Sequence, residues 1–353
     1  MAWWSQRLGA PRSVLAPMVD QSELAFRELC RRYGVELCYT PMVHAGIASG
    51  DPGYVRRMFP REDSGPVIAQ LAANDPRKAV ATARQIADLS RVDAYDLNLG
   101  CPQKIARKGH YGAFLLENDI DAACAVVASL AALGVVTCKV RLLGSLEASV
   151  RSYRKLVASG AAALCVHGRT RHQNKQLSGP ADWEAIRAVR SEFPEVPFIA
   201  NGGVSCLDDA TNLRLTTAAD AVMAAEALLD NPALFSSHQP TQRHLAREYL
   251  DLALACDARP GDAKGHLFKL LHGSLAEFTD VRTALALATS FRDFEALLDR
   301  LDRLDPDHRF DACHTPSGVR VPARSWYWRH RREGDSSLAP TMRDEEKREM
   351  LKI

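Results

Sequence analysis

The sequence predicts an α/β protein, a (β/α)8 TIM barrel with a small helical domain at its C-terminal side. Three observations lead there. Between Ser13 and about Phe235, eight short apolar runs alternate with amphipathic stretches, the pattern of parallel strands covered by helices. Chemically informative residues fall at or just past the ends of seven of these runs, where such a barrel gathers its site. After Asn231-Pro232 the alternation stops, and Ala, Leu and mixed charge take over.

In chain order, residues 1–12 form an N-terminal segment that lacks the long apolar core of a signal peptide, while its Arg7 and Arg12 keep an organelle or the nucleus open beside the cytoplasm. The barrel is expected over 13–238. Its strands are predicted at 14–18, 36–40, 66–71, 94–99, 135–141, 162–167, 197–201 and 221–225. Helices are predicted at 75–89, 119–133, 146–159 and 182–192, several opening on an Asp or Asn that can cap. A helical domain is expected over 239–312, with three or four helices in 241–304 and breakers only near Arg259-Pro260-Gly261. Within it Leu285, Leu287, Phe291, Phe294, Leu297, Leu298 and Leu301 recur near helical spacing and read as a core stripe. From Pro306 onward Pro, Gly and charge runs indicate a solvated terminus, with 313–353 a tail that is first basic and aromatic and then mixed in charge.

Composition sets outer limits. The 353 residues exceed one ordinary domain, 46% hydrophobic content supports a sizeable core, and 25% charged residues keep the surface wet. No apolar run approaches the roughly 20 residues of a membrane helix, so no membrane partner is expected. The nine cysteines are odd in number, scattered and without C-x-x-C spacing. That usage indicates a reducing, cytoplasmic setting with no disulfide framework and no metal site. A net charge of +2 neither demands nor excludes a nucleic acid, and a monomer is expected.

The densest motif is Asp96-Leu97-Asn98-Leu99-Gly100-Cys101-Pro102-Gln103, which puts Asn98 and Cys101 at the end of an apolar strand. Gly100 frees the backbone there and Pro102 fixes it. Asn201-Gly202-Gly203 and Ala224-Ala225-Glu226 place small residues after the seventh and eighth strands. Backbone N–H groups there can approach a phosphate, although Gly-Gly is also a common tight turn. Lys139 sits within an apolar strand, and three readings compete: a Schiff-base lysine, a fixed charge at a reduced flavin, or a side chain that snorkels to the rim. Pro17, Met18 and Gln70 mark two further strand ends, and His167-Gly168-Arg169-Thr170-Arg171-His172-Gln173 a third. In the tail, Arg324, Arg329 and Arg331 interleave with Trp326, Tyr327 and Trp328, suited either to RNA or to a solvated end folded back on the body.

Together these motifs resemble the tRNA-dihydrouridine synthases, over roughly 15–235. The loop Gly109-His110-Tyr111-Gly112-Ala113 adds a likeness to the eukaryotic branch that acts on D-loop uridines 16 and 17. The resemblance implies bound FMN, NADPH or NADH as reductant and tRNA as substrate, with reduction of uridine to 5,6-dihydrouridine. It implies hydride transfer from flavin N5 to uracil C6 and proton donation to C5 by Cys101. A thiol near its ordinary pKa is mostly protonated at neutral pH and so can donate. Pro17, Met18, Gln70, Asn98, Lys139, His167, Asn201, Gly202, Gly203, Ala225 and Glu226 would then hold the cofactor. Asn98, Arg169 and Arg171 would meet uracil or RNA, and the helical domain would bind tRNA. The rival readings are an FMN barrel acting on a free pyrimidine, a Schiff-base aldolase, and a non-catalytic RNA-binding barrel. The Arg-rich segments and helical domain argue against the first, Cys101 and Arg169 against the second, and intact Cys101, Lys139 and His167 against the third.

Overall fold

The computed structural model describes residues 3–174 and 178–320, and within them the barrel is closed. Its strands are β1 (Ser13–Leu15), β2 (Leu37–Tyr39), β3 (Val43–His44), β4 (Val67–Ala72), β5 (Ala94–Leu99), β6 (Val136–Leu142), β7 (Ala161–Thr170), β8 (Phe198–Asn201) and β9 (Ala221–Ala224). All pairings among them are parallel, and β2 bonds to both β1 and β4, which closes the ring. Each predicted strand is present. The two-residue β3 was not anticipated, because Thr40-Pro41-Met42 interrupts the pairing before β3 resumes it against β4.

Alternation along each strand divides the barrel interior into two layers. The lower layer is apolar, built from Val14, Leu37, Ile68, Ala94, Cys165, Ile199 and Ala221. Trp4 and Leu8 join this cluster from the segment before β1, and Arg7 Nε bonds Asp93 Oδ1 at 3.2 Å just ahead of β5. The N-terminal segment therefore plugs the base of the barrel. Above lies a polar layer that includes Gln70, Asp96, Thr137, Lys139 and Asn201.

Among the described residues, five helices, not three or four, follow the barrel: Gln242–Ala255, Pro260–Leu270, His272–Glu277, Thr279–Leu287 and Phe291–Leu304. The additional break falls where the core stripe was read as continuous. Ser290 caps the last helix through Asp293 N–H, and Asp293 accepts from Ser290 N–H at 2.9 Å. Leu287 consequently lies 77% exposed, while Leu285, Phe294, Leu298 and Leu301 are buried. Buried Arg243 ties this bundle to the following turns by bonding Asp311 and Asp305. Residues 306–320 are folded, which corrects the expectation of a solvated terminus from Pro306. They end in a hairpin of β10 (Cys313–Thr315) and β11 (Gly318–Arg320), whose turn accepts from Asp208 N–H at Pro316 O, 2.9 Å. Arg324, Arg329 and Arg331 lie outside the described residues.

The bundle docks on the barrel's first helix, Leu24–Arg32. Tyr249 Oη donates to Glu23 Oε1 at 2.8 Å, His266 Nε2 lies 3.0 Å from Glu23 Oε2, and the His266 ring stacks on Phe26. The same helix carries Arg27, fully buried and paired through both Nε and Nη2 with Asp63 at 2.6 and 2.7 Å; its Nη1 donates to Ser22 O. Removing one partner of a buried ion pair strands the other charge. Asp63→Ala should therefore lower the unfolding free energy by about 3–5 kcal/mol, measured by urea denaturation. A change within ~0.5 kcal/mol would show that Arg27 finds water or another partner.

Candidate active site

Strand register assembles the site. Gln70 lies opposite Asp96, Asp96 opposite Thr137, Asn98 opposite Lys139, and His167 opposite Asn201. Asp96 and Asn98, two residues apart, share the inner face of β5. Asp96 is fully buried and accepts from Thr137 Oγ1 at 2.7 Å and from Gln70 Nε2 at 2.8 Å. Burial pushes its carboxyl up to about 7, with the bonds from Thr137 and Gln70 and nearby Lys139 opposing. Because Gln70 turns its amide nitrogen toward Asp96, its Oε1 faces Asn98 and accepts from Nδ2 at 2.9 Å. Asn98 Oδ1 is thereby left facing the loop, where it accepts from Gly100 N–H and Cys101 N–H at 3.1 and 3.0 Å. One buried carboxyl thus orients two amides and, through them, the backbone of Cys101.

The returning chain presses on the same loop. Ala113 N–H donates to Cys101 O at 3.1 Å, and Gly112, at φ +67°, leaves no room for a side chain. A Cβ there would stand 2.7 Å from Cys101 O. Tyr111, buried, packs with Cys101 and Phe114 and meets the His44 ring edge-on at 5.1 Å. Burial pushes the Cys101 thiol above its usual range, while the Gln103 backbone, Arg141 and Lys139 pull it down. The thiol is protonated at neutral pH.

Arg141 closes the other side. Its Nε donates to Gly100 O at 2.8 Å and its Nη1 to Thr170 O and Gln173 O, stapling the β5 loop to the β7 loop. Lys139 Nζ donates to Asn201 Oδ1 at 3.0 Å, and Asn201 Nδ2 donates to Met223 O at 2.9 Å. Burial lowers the Lys139 pKa. Gly202 and Gly203 both have positive φ; a Cβ on Gly202 would reach within 2.7 Å of the His167 ring, and one on Gly203 within 3.1 Å of Trp183. Trp183 Nε1 donates to Gly202 O at 3.0 Å, fixing that turn.

The remaining expected residues occupy the same rim. Pro17 and Met18 follow β1, and Ala225 and Glu226 follow its neighbour β9, with Ala16 N–H donating to Ala224 O. Arg169 is buried and donates to Ser178 O and Gly179 O and, through Nη1, to His167 Nε2. Arg171 pairs with Glu117 at 2.7 Å and lies over the Phe114 ring. Both guanidinium groups are engaged by the protein itself. Asp96, Gly112 and Arg141 had no assigned role in the sequence. Asp96 is the one that spacing could have found, since it alternates with Asn98 on one strand face. Among the described residues, no three His, Cys, Asp or Glu gather as a metal site, and no helix is long and apolar enough to cross a membrane.

A closed parallel barrel whose polar groups converge at the carboxyl ends of its strands defines a (β/α)8 protein with one site at its mouth. Residues 14–258 match the dihydrouridine synthase (Dus) family model, and the chain belongs to that family. It is 41% identical over 332 residues to a tRNA-dihydrouridine(16/17) synthase [NAD(P)(+)]-like protein of Mus musculus, covering 92% of this chain and 69% of that one. A tRNA-dihydrouridine(16/17) synthase [NAD(P)(+)] of Saccharomyces cerevisiae is 40% identical over 298 residues, covering 79% of this chain and 70% of its own length. A tRNA-dihydrouridine(20a/20b) synthase [NAD(P)+]-like protein of Homo sapiens is 34% identical over 250 residues, covering 68% and 76%.

The raised pKa of Asp96 has a consequence for stability. An unfolded Asp loses its proton near pH ~4, the folded one near 7. Between those values the folded state holds the extra proton, so this group's contribution to stability falls as pH rises and is level above them. Asp96→Asn removes the titration. In urea unfolding, wild type should lose ground relative to Asp96→Asn between about pH 4.5 and 7.5; a pH-independent difference would contradict the assignment.

Proposed function

We propose that this chain is an FMN-dependent tRNA-dihydrouridine synthase that reduces uridines 16 and 17 of the D-loop, with NADPH, or NADH, as the reductant. It would act as a monomer in the cytoplasm, with a catalytic barrel over 13–238 and a helical unit over 239–312. The observation that carries this reading is Cys101 with its backbone held at the barrel mouth by Asn98, in a chain 41% identical to a tRNA-dihydrouridine(16/17) synthase-like protein.

The mouth suits the cofactor. Gly202 and Gly203 offer bare backbone at positions where a Cβ would strike His167 or crowd Trp183. Lys139 is a half-buried cation whose hydrogen-bond partner among the described residues is a neutral carboxamide, leaving its charge for an anionic edge. Gly202, Gly203, Ala225 and Glu226 would hold the phosphate. Pro17, Met18, Gln70, Asn98, Lys139, His167 and Asn201 would hold the ring. Bound FMN would supply the hydride to uracil C6.

The protein's share is to hold and release a proton. Cys101 keeps it because burial disfavours the thiolate, and gives it to uracil C5. Lys139 and Arg141 then face the thiolate, and their charge makes the loss tolerable. Arg169 and Arg171 would meet uracil and RNA by exchanging contacts they now make with Gly179 and Glu117. Arg324, Arg329 and Arg331 would add RNA contacts.

The test is to reduce the protein anaerobically with NADPH, add unmodified tRNA, and follow the return of the oxidised flavin spectrum. Reoxidation should require RNA, and Cys101→Ala should retain flavin but react about 10²–10⁴-fold more slowly. RNA that leaves the flavin reduced, or a Cys101→Ala protein that reacts at the wild-type rate, would overturn the reading.

A further inference from the structure

We propose that a cationic face on the loop behind Cys101, centred on Lys104, Arg107 and Lys108, supplies the main electrostatic grip on the RNA backbone. This inference rests on the tRNA reading above and names the surface that reading requires. From Cys101 to Leu116 the chain has no acidic residue. The short helix Lys104–Lys108 begins three residues after Cys101, with Lys104, Arg107 and Lys108 exposed and only Ala106 buried among Tyr111 and its neighbours. None of the three cations pairs with a carboxylate among the described residues, whereas Arg169 and Arg171 at the same mouth are both engaged.

A neighbouring loop extends the same face. Asn74 Nδ2 donates to Gly109 O at 3.2 Å, joining the turn after β4 to the end of the short helix. That turn leads into a helix whose second and third residues, Arg77 and Lys78, are exposed. Lys78 lies close enough to His44 to help lower its pKa, and His44 contacts Tyr111. The positive face is therefore continuous along one side of the mouth.

The helical unit has the opposite character. Residues 239–312 contain ten Lys and Arg against thirteen Asp and Glu. Its arginines are largely spent: Arg243 on Asp302, Asp305 and Asp311, Arg247 on Asp299 and Asp302, Arg300 on Asp280. A polyanion approaching the mouth gains counterion release at the loop and meets net negative charge on the bundle.

The experiment measures binding of unmodified tRNA to the full-length protein across salt concentrations, by fluorescence anisotropy. The triple variant Lys104→Ala, Arg107→Ala, Lys108→Ala adds good helix formers to a short helix, so folding should be kept, as the thermal midpoint will show. It should bind at least about tenfold more weakly at physiological salt and lower the salt slope by about 2–3. The charge-preserving set Lys104→Arg, Arg107→Lys, Lys108→Arg should keep both. Arg292→Ala with Arg303→Ala, exposed positions on the bundle, should change neither. A triple variant that binds like wild type, or a larger loss from the bundle pair, would overturn the proposal. Wild-type protein that binds no tRNA, or binds an acidic protein equally well, would instead remove the function on which it rests.

Discussion

A carboxyl group sealed inside the barrel, Asp96, is the constraint from which the site geometry follows. A buried polar group must be satisfied, and here Thr137 and Gln70 satisfy it. Each amide has one donor end and one acceptor end, so fixing the first in the chain fixes the next. Gln70 presents its oxygen to Asn98, and Asn98 presents its oxygen to the backbone of Gly100 and Cys101. Loss of the carboxyl would free Gln70 to turn over, and the loop that carries the thiol would lose its orienting bonds.

Two other features work with that chain. Below it, Trp4 and Leu8 close the apolar layer at the barrel base, beneath the buried carboxyl of Asp96. Above it, Arg141 holds the β5 and β7 loops together while lying close enough to Cys101 to favour its anion. Burial raises the Arg141 desolvation cost enough to bring its pKa down to about 10, with Arg169 adding repulsion. The thiol thus keeps its proton at neutral pH yet faces two cations once the proton is gone.

Strand positions were legible because buried parallel strands are written as near-continuous apolar runs, and Asn98, Cys101, Lys139, His167 and Asn201 stood at their ends. The rest depended on contacts that sequence does not encode locally. Trp4 had no role in the sequence until the barrel base placed it in the apolar layer, and Pro306 reads as the start of a solvated tail although Pro316 O meets Asp208 across the fold. Ser290 and Asp293 form a capping box that was written in the sequence, but the leucines on either side suggested continuity. Gly112 is one glycine among several in the sequence; only its distance to Cys101 shows why a side chain there is excluded. Arg169 and Arg171 resemble free RNA-binding groups until Gly179 and Glu117 are seen to hold them.

The most direct measurement is to map dihydrouridine, nucleotide by nucleotide, in unmodified tRNA after incubation with this protein, FMN and NADPH. Conversion confined to uridines 16 and 17 is the expected result. Conversion at position 20 or 47 with 16 and 17 intact would contradict the substrate assignment, and no conversion at any position would contradict the proposed chemistry of the mouth.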